Sequence, residues 1–241
     1  MNKKIAITQS NYIPWKGYID TIISADDVIL YDDMQYTKRD WRNRNLIVTP
    51  SGLKWMSIPV NVSGKFNQSI YEVELNNNTW CQDHWNLLTQ NYKKAAYFNE
   101  VEGTIKSWYE QAQVLTHLSQ VNTHFLQNIL DALSSKKDLL QSNKFQYGEG
   151  KSERLLNLCK QRGATEYLSG PKAKDYLDIS IFEKENIKVS FSEFNSYNSY
   201  TQLQEGFDHG VTILDLFFNL GFEGSKKHMK SFDNQNHIKD E

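Results

Sequence analysis

The run Ile5-Ala6-Ile7-Thr8-Gln9-Ser10-Asn11-Tyr12-Ile13-Pro14-Trp15-Lys16-Gly17-Tyr18, followed ten residues later by Val28-Ile29-Leu30-Tyr31, decides the fold class. Both ends are short apolar runs of the kind a buried parallel strand requires. Between them lies a polar loop from Thr8 to Pro14, then Tyr18, Ile19, Ile22 and Ile23 at helical spacing. Pro14 suits the first turn of that helix, where its missing N–H costs nothing. Strand, helix and strand within about 30 residues make a βαβ unit, which implies a parallel sheet. The expected class is α/β, Rossmann-like, with a mainly parallel sheet.

Working outward, the same alternation returns in the C-terminal half. Lys151–Arg162 reads as a helix with Leu155, Leu156, Leu158 and Cys159 inward and Gly163 just past its end. Thr165–Leu168 reads as a strand, Ser169-Gly170-Pro171 as a turn into a short helix, Ile187–Phe191 as a strand and Val211–Leu220 as a helix. Between the halves, Trp55–Val60 and Ser69–Leu75 around the polar turn at Gly64 read as a β-hairpin. Residues from Trp80 to about Leu133 carry apolar stripes three to four apart, among them Trp85, Leu88, Tyr92 and Leu118, Val121, Phe125, Ile129. These are helix faces packed on a core, forming a helical insertion. Residues 1–225 are expected to form a single α/β domain, and the polar, unpatterned residues 226–241 a disordered tail.

Bulk composition narrows the function. The chain has 241 residues, a net charge of −2, and 6 Trp, 13 Tyr and 12 Phe. A general nucleic-acid binder would be basic overall, so nucleic acid is not an expected partner. Cys81 and Cys159 lack metal-ligand spacing and sit in helical patterns, which suits buried free thiols in a reducing cytoplasm. Neither a secretory signal pattern nor an 18-residue apolar window is present, so a cytoplasmic location without a membrane span is expected. His84, His117 and His124 have no acidic partners at ligand spacing, and no metal is expected.

Four constellations can carry chemistry. The loop from Gln9 to Tyr18 leaves the first strand at its carboxyl end, where α/β sheets bind ligands, and enters a helix N-terminus that suits phosphate. Gln9 and Asn11 can hydrogen-bond a base, sugar or amide, with Tyr12 and Trp15 beside them; the plainer reading is a capping turn. The second follows the next strand: Asp33, Gln35, Tyr36, Lys38, Arg39, Trp41, Arg42, Asn43, Arg44 and Asn45 interleave cations with aromatic and amide side chains. Arginine matches phosphate with two parallel hydrogen bonds, and Trp41 or Tyr36 offers a face for a ring. The plainer reading is a solvated charged loop. Third, Gly148-Glu149-Gly150-Lys151-Ser152 matches the end of a Walker A loop, but Phe145 stands where its first glycine is needed, which excludes a standard nucleoside-triphosphate P-loop. An anion at Lys151 remains open. Fourth, Ser169-Gly170-Pro171 with Lys174 is another turn of N–H groups beside a cation. His209, just before the last apolar helix, is the conspicuous candidate general base near neutral pH, with structural service as its alternative.

Taken together, Ile7–Tyr18 resembles the opening signature of the WbqC-like protein family, and Asp32-Asp33-Met34-Gln35-Tyr36 with Arg39, Trp41, Asn43, Arg44 and Asn45 resembles its second. Gln90–Ala95, Lys151–Leu155, Tyr167–Pro171 and Ile213–Leu216 resemble later ones, so the resemblance runs from about residue 5 to 221. In that family the opening glutamine is commonly flanked by His and Pro; Thr8 and Ser10 stand there here, which moves any role at this strand end to Gln9 and Asn11. The resemblance implies a place in surface-polysaccharide (O-antigen, lipopolysaccharide) biosynthesis and acyl or aminoacyl transfer to a nucleotide-linked amino sugar. On that reading Gln9, Asn11 and Asp33 orient the acceptor amine, His209 takes its proton, the basic loop binds the diphosphate, Tyr36 or Trp41 stacks on base or sugar, and the remaining residues of these loops help hold the nucleotide sugar. The alternatives are an ATP-dependent, adenylate-forming ligase and a non-catalytic binding subunit of a glycan-modifying complex. No cofactor is indicated, and homo-oligomerisation stays open.

Overall fold

The computed structural model describes residues 2–236. Its centre is a five-stranded, all-parallel sheet made of β1 (Lys4–Thr8), β2 (Asp27–Leu30), β5 (Leu139–Gln141), β6 (Glu166–Ser169) and β7 (Lys188–Phe191), in the order β5-β2-β1-β6-β7. Counted among parallel strands only, that is the 3-2-1-4-5 order of doubly wound folds. Connections therefore leave β1 towards one edge and β6 towards the other, opening a crevice between their carboxyl ends.

Side-chain alternation explains the layers. Ala6, Val28 and Leu30 point into one apolar cluster, with Ile19 and Ile22 of α1 (Lys16–Ile23) and with the helical insertion. Ile5, Ile7, Ile29 and Tyr31 point into another, with Leu155 and Leu158 of α5 (Lys151–Gln161) and Phe182 of α6 (Ile179–Lys184). Strands buried on both faces read as continuous apolar runs, which is why β1 and β2 are visible in the sequence. The insertion consists of α2 (Thr79–Tyr92), α3 (Phe98–Ala112) and α4 (Leu118–Ala132), and it lies within the crossover from β2 to β5. No helix of the described residues is long and apolar enough to cross a membrane.

Several expectations are corrected. The hairpin is β3 (Arg44–Thr49) with β4 (Gly52–Ser57), not Trp55–Val60 with Ser69–Leu75. Its turn holds Pro50 and Ser51, and Gly52 closes it at φ 106°, a conformation L side chains rarely adopt. Residues Ile70–Glu72 instead form a 3₁₀ turn, because the Ser69 N–H and hydroxyl both donate to the Glu72 carboxylate. Pro14 precedes α1, whose cap is Trp15. The strand β5 lies in a stretch that reads as a polar break. The tail is also more ordered than its composition suggests. Helix α7 (Ile213–Lys226) continues past a break at Gly221, and α8 (Lys230–Asn236) follows. The Asp20 carboxylate on α1 accepts from the N–H groups of Lys230 and Ser231 and from the Ser231 hydroxyl, and so ties α8 down. Residues 237–241 of the expected tail lie outside the described residues.

Candidate functional site

At the carboxyl ends of β1 and β6 the crevice widens into a cleft of about 1000 Å³. That volume is at the upper end of small-molecule pockets, and the place is where doubly wound sheets bind their ligands.

One wall is the loop after β1 braced by the loop after β2. The Arg42 guanidinium donates to the carbonyls of Gln9 (3.2 Å) and Ser10 (3.3 Å) and to the Asn11 side-chain oxygen. Beneath it, the buried Asp32 carboxylate accepts from the Ser10 N–H (2.8 Å) and the Ser119 hydroxyl of α4 (2.5 Å). Burial pushes the Asp32 carboxyl up, although these donors and Arg42 oppose it. Asn122 of α4 donates to both Ser10 Oγ and the Arg42 carbonyl. Ile13 sits at φ 34°, rare for a β-branched residue, and its carbonyl is held by the Asn45 amide and the Thr212 hydroxyl. Trp15 then folds back over α1 into the cleft: a Cβ on Gly17 would lie 2.4 Å from its ring. Phe194, from the long connection after β7, packs edge-on against Trp15 with centroids 4.9 Å apart.

The opposite wall is the start of α5 and the turn after β6. Gly150 caps α5 at φ 86° without a side-chain cap, and the Glu153 carboxylate of the first turn folds back over it, so an anion bound at this helix N-terminus would share it with Glu153. Lys151 and Arg154 stand on that first turn, and Ser169, Gly170, Lys172 and Tyr176 line the cleft from the turn beyond β6. Among the described residues Lys151, Arg154 and Lys172 form no salt bridge with an acid. Asp40 is the one carboxylate in the lining. Burial pushes its carboxyl up, but the Thr37 hydroxyl, Arg42 and the Trp41 N–H outweigh that and hold it below the ordinary range, so it is ionised near neutrality.

The structure thus gathers Gln9, Asn11, Trp15, Trp41, Arg42, Lys151, Ser169 and Gly170 around one cleft. It places the other candidates elsewhere. Tyr12 is wholly buried, its hydroxyl 2.9 Å from His84 Nδ1 and 3.0 Å from the Tyr109 hydroxyl. Tyr36 is buried in the core, and Asn45 is buried against the carbonyls of Tyr12 and Ile13. Asn43 donates to the Ile58 carbonyl and Gln35 to that of Phe66; both hold loops together. Lys38 and Arg39 are exposed outside the cleft, and Arg44 lies over Trp55. Lys174 lies over the Phe191 ring at 5.1 Å.

Two expected catalytic groups also fall outside the lining. Asp33 accepts from Ser142, so its carboxylate is engaged with the chain before α5. His209 packs edge-on against Phe207, with centroids 4.5 Å apart, and tilted to Tyr197 at 6.1 Å. Burial and the nearby Lys16 ammonium hold it below its ordinary value against the pull of Asp208. It is neutral, but it is not in the cleft. Arg154, Lys172 and Phe194 are cleft residues that the sequence reading did not single out. Arg154 carries a legible signal, being one helical turn from Lys151; Lys172 directly follows the Ser-Gly-Pro turn.

Comparison with known proteins agrees with this chain-long organisation. The chain is 47% identical over 221 residues, 92% of its length and 95% of its relative's, to the uncharacterised protein Rv1507c of Mycobacterium tuberculosis (strain ATCC 25618 / H37Rv). No solved structure matches it. The WbqC-like protein family matches residues 9–227, which take in both walls of the cleft, and the chain belongs to that family.

Proposed function

We propose that the protein is a transferase of surface-polysaccharide biosynthesis of the O-antigen type, moving an acyl or aminoacyl group onto a nucleotide-linked amino sugar. The observation that carries this reading is the cleft wall lined by Lys151 and Arg154 on the first turn of α5 and by Lys172 beyond β6, none of them in a salt bridge among the described residues. Three cations without a salt bridge among the described residues match a diphosphate in charge and in hydrogen bonding. Trp15 and Phe194 supply apolar faces for a base, and ionised Asp40 is placed to hold the amine of an amino sugar. Holding donor and acceptor together in one cleft supplies rate by orientation.

Thermal shift is the test, against UDP- and dTDP-linked amino sugars and plain sugars, ATP with amino acids, and acyl-CoAs. A ligand selective for the folded state raises the melting temperature by mass action. A shift with a nucleotide amino sugar that exceeds the plain nucleotide's supports the reading and supplies the substrate for turnover assays. A shift with ATP alone, followed by ATP–pyrophosphate exchange, replaces it with the adenylate-forming ligase, which the same phosphate-binding wall would serve. Silence with every ligand, with capture of a stable enzyme partner, replaces it with a binding subunit.

A further inference from the structure

Trp41 belongs to two surfaces. One edge lines the cleft. The other faces Trp55 of β4, with ring centroids 5.2 Å apart at 47°. Both rings are half-covered, Trp41 40% and Trp55 42% exposed, and Leu53, on the same face of β4 two residues along, is 41% exposed. The Arg44 guanidinium sits 3.9 Å from the centre of the Trp55 ring, and its Nε has no partner. On the cleft side, the Asp40 carboxylate accepts from the Trp41 N–H.

From this we propose that the Trp41–Trp55 pair is a saccharide subsite outside the cleft, where the sugar of a ligand bound within it, or the next residue of a glycan, is stacked. The proposal rests on the nucleotide-sugar reading for its direction, not for its chemistry. A pyranose has an apolar C–H face and a rim of equatorial hydroxyls. An indole offers a flat apolar face; Arg44 covers one face of Trp55 and leaves the other to a sugar, and Asp40 stands beside Trp41 as an acceptor. Half-covered rings present a face rather than a protruding wedge, which distinguishes them from Phe66, 82% exposed, and from what insertion into a lipid surface requires. Continuity decides the occupant: a ligand leaving the phosphate-binding wall past Arg42 meets Trp41 and then Trp55. The hairpin, outside the parallel sheet, thereby gains a role in recognising the sugar.

The experiment labels the indole nitrogens of the full chain and assigns the Trp41 and Trp55 signals with Trp41→Phe and Trp55→Phe. The protein is then titrated with UDP, with UDP-N-acetylglucosamine, with the β-linked trimer of N-acetylglucosamine, and with phosphatidylglycerol vesicles. The expected result is that both saccharide-bearing probes move the Trp55 signal and UDP does not. Trp55→Ala, with an unchanged melting temperature, should lose about fivefold or more in affinity for UDP-N-acetylglucosamine and nothing for UDP. A Trp55 signal that no saccharide moves overturns the proposal, and UDP binding in that case leaves the nucleotide reading standing. A response to the trimer without UDP binding sustains the subsite and removes the nucleotide reading. A response to vesicles alone overturns the proposal in favour of a lipid surface.

Discussion

The two walls of the cleft are both rich in polar side chains, but they use them differently. On the β1–β2 wall the groups are spent on one another: Arg42 on Gln9, Ser10 and Asn11, Asp32 on Ser10 and Ser119, Asn45 on Tyr12 and Ile13. On the α5–β6 wall Lys151 and Lys172 are exposed and without acidic partners. A buried polar group must be satisfied by the fold, whereas an exposed cation in a concave site is satisfied by water until an anion displaces it. The first wall is therefore a brace that sets the shape of the cleft, and the second is the surface that binds phosphate. Substitutions should separate the two, changing stability on one wall and affinity on the other.

The largest effect is expected from Asp32→Ala. It leaves the Ser10 N–H and the Ser119 hydroxyl buried without an acceptor and removes one of the ties between α4 and the loop after β1, the Asn122–Ser10 bond remaining. Two orphaned donors at about 1–3 kcal/mol each predict a loss of about 4 kcal/mol in urea unfolding. A loss under about 1 kcal/mol would mean that the brace is not held from below.

Next comes a pH effect on the same wall. His84 backs Tyr12, and burial pushes its imidazole down to about 4, only partly opposed by its hydrogen bond with the Ser57 carbonyl. The folded-state value is lower than the unfolded one, so the unfolded chain takes up a proton that the native chain refuses. Stability from this group is complete above about pH 6.5 and is lost as pH falls towards 4, by about 3 kcal/mol in all. His84→Gln should be destabilised at pH 7 yet show a shallower loss between pH 6.5 and 4. Comparing slopes removes the background of Asp32 and Asp215, whose carboxyls burial pushes the other way. Parallel slopes for the two proteins would show that His84 does not titrate in this window.

The third expectation separates the two arginines. Arg42→Ala removes the donor that ties Gln9, Ser10 and Asn11 together and should cost about 2 kcal/mol of stability, with affinity lost as a consequence. Arg154→Ala deletes a side chain that donates from Nε to the Gly148 carbonyl and lies 6.0 Å over the Tyr147 ring. It should cost less than about 1 kcal/mol of stability and about tenfold in UDP affinity. Differential scanning calorimetry and titration calorimetry on both variants check this. Equal effects of the two on stability would dissolve the distinction between the walls.

This division also explains what the sequence disclosed. Strands β1, β2, β6 and β7 and helices α1 and α5 are legible because an apolar run or a helical stripe is a local pattern, and the place of the cleft follows from where those strands end. The fate of individual polar residues is not local. Tyr12 in its loop and Asn45 at the start of β3 lie in stretches whose composition suggests binding; α2 and α3 bury Tyr12 by supplying His84 and Tyr109, and the backbone at Tyr12 and Ile13 uses Asn45. The order of α8 was hidden for the same reason, since it depends on Asp20 more than 200 residues earlier in the chain. The three-residue strand β5 is too short to show a period at all.

The smallest expected effect is the most local. Lys172 and Lys174 are two residues apart on the 3₁₀ turn Pro171–Asp175, but only Lys172 lines the cleft, whereas Lys174 lies over Phe191. On sequence grounds Lys174 was the candidate. The binding wall predicts the reverse: Lys172→Ala should weaken UDP binding by about 1 kcal/mol, roughly fivefold, and reduce its dependence on salt. Lys174→Ala should leave affinity unchanged, because an exposed cation over a ring contributes about 0.5–1 kcal/mol to stability and nothing to a ligand it does not face. Both substitutions remove one positive charge from the same turn, so the general field changes almost equally in the two variants. If both weaken UDP binding alike, the wall acts only through its net charge; if only Lys172→Ala does, the contact is directional, and a phosphate lies between this turn and the start of α5.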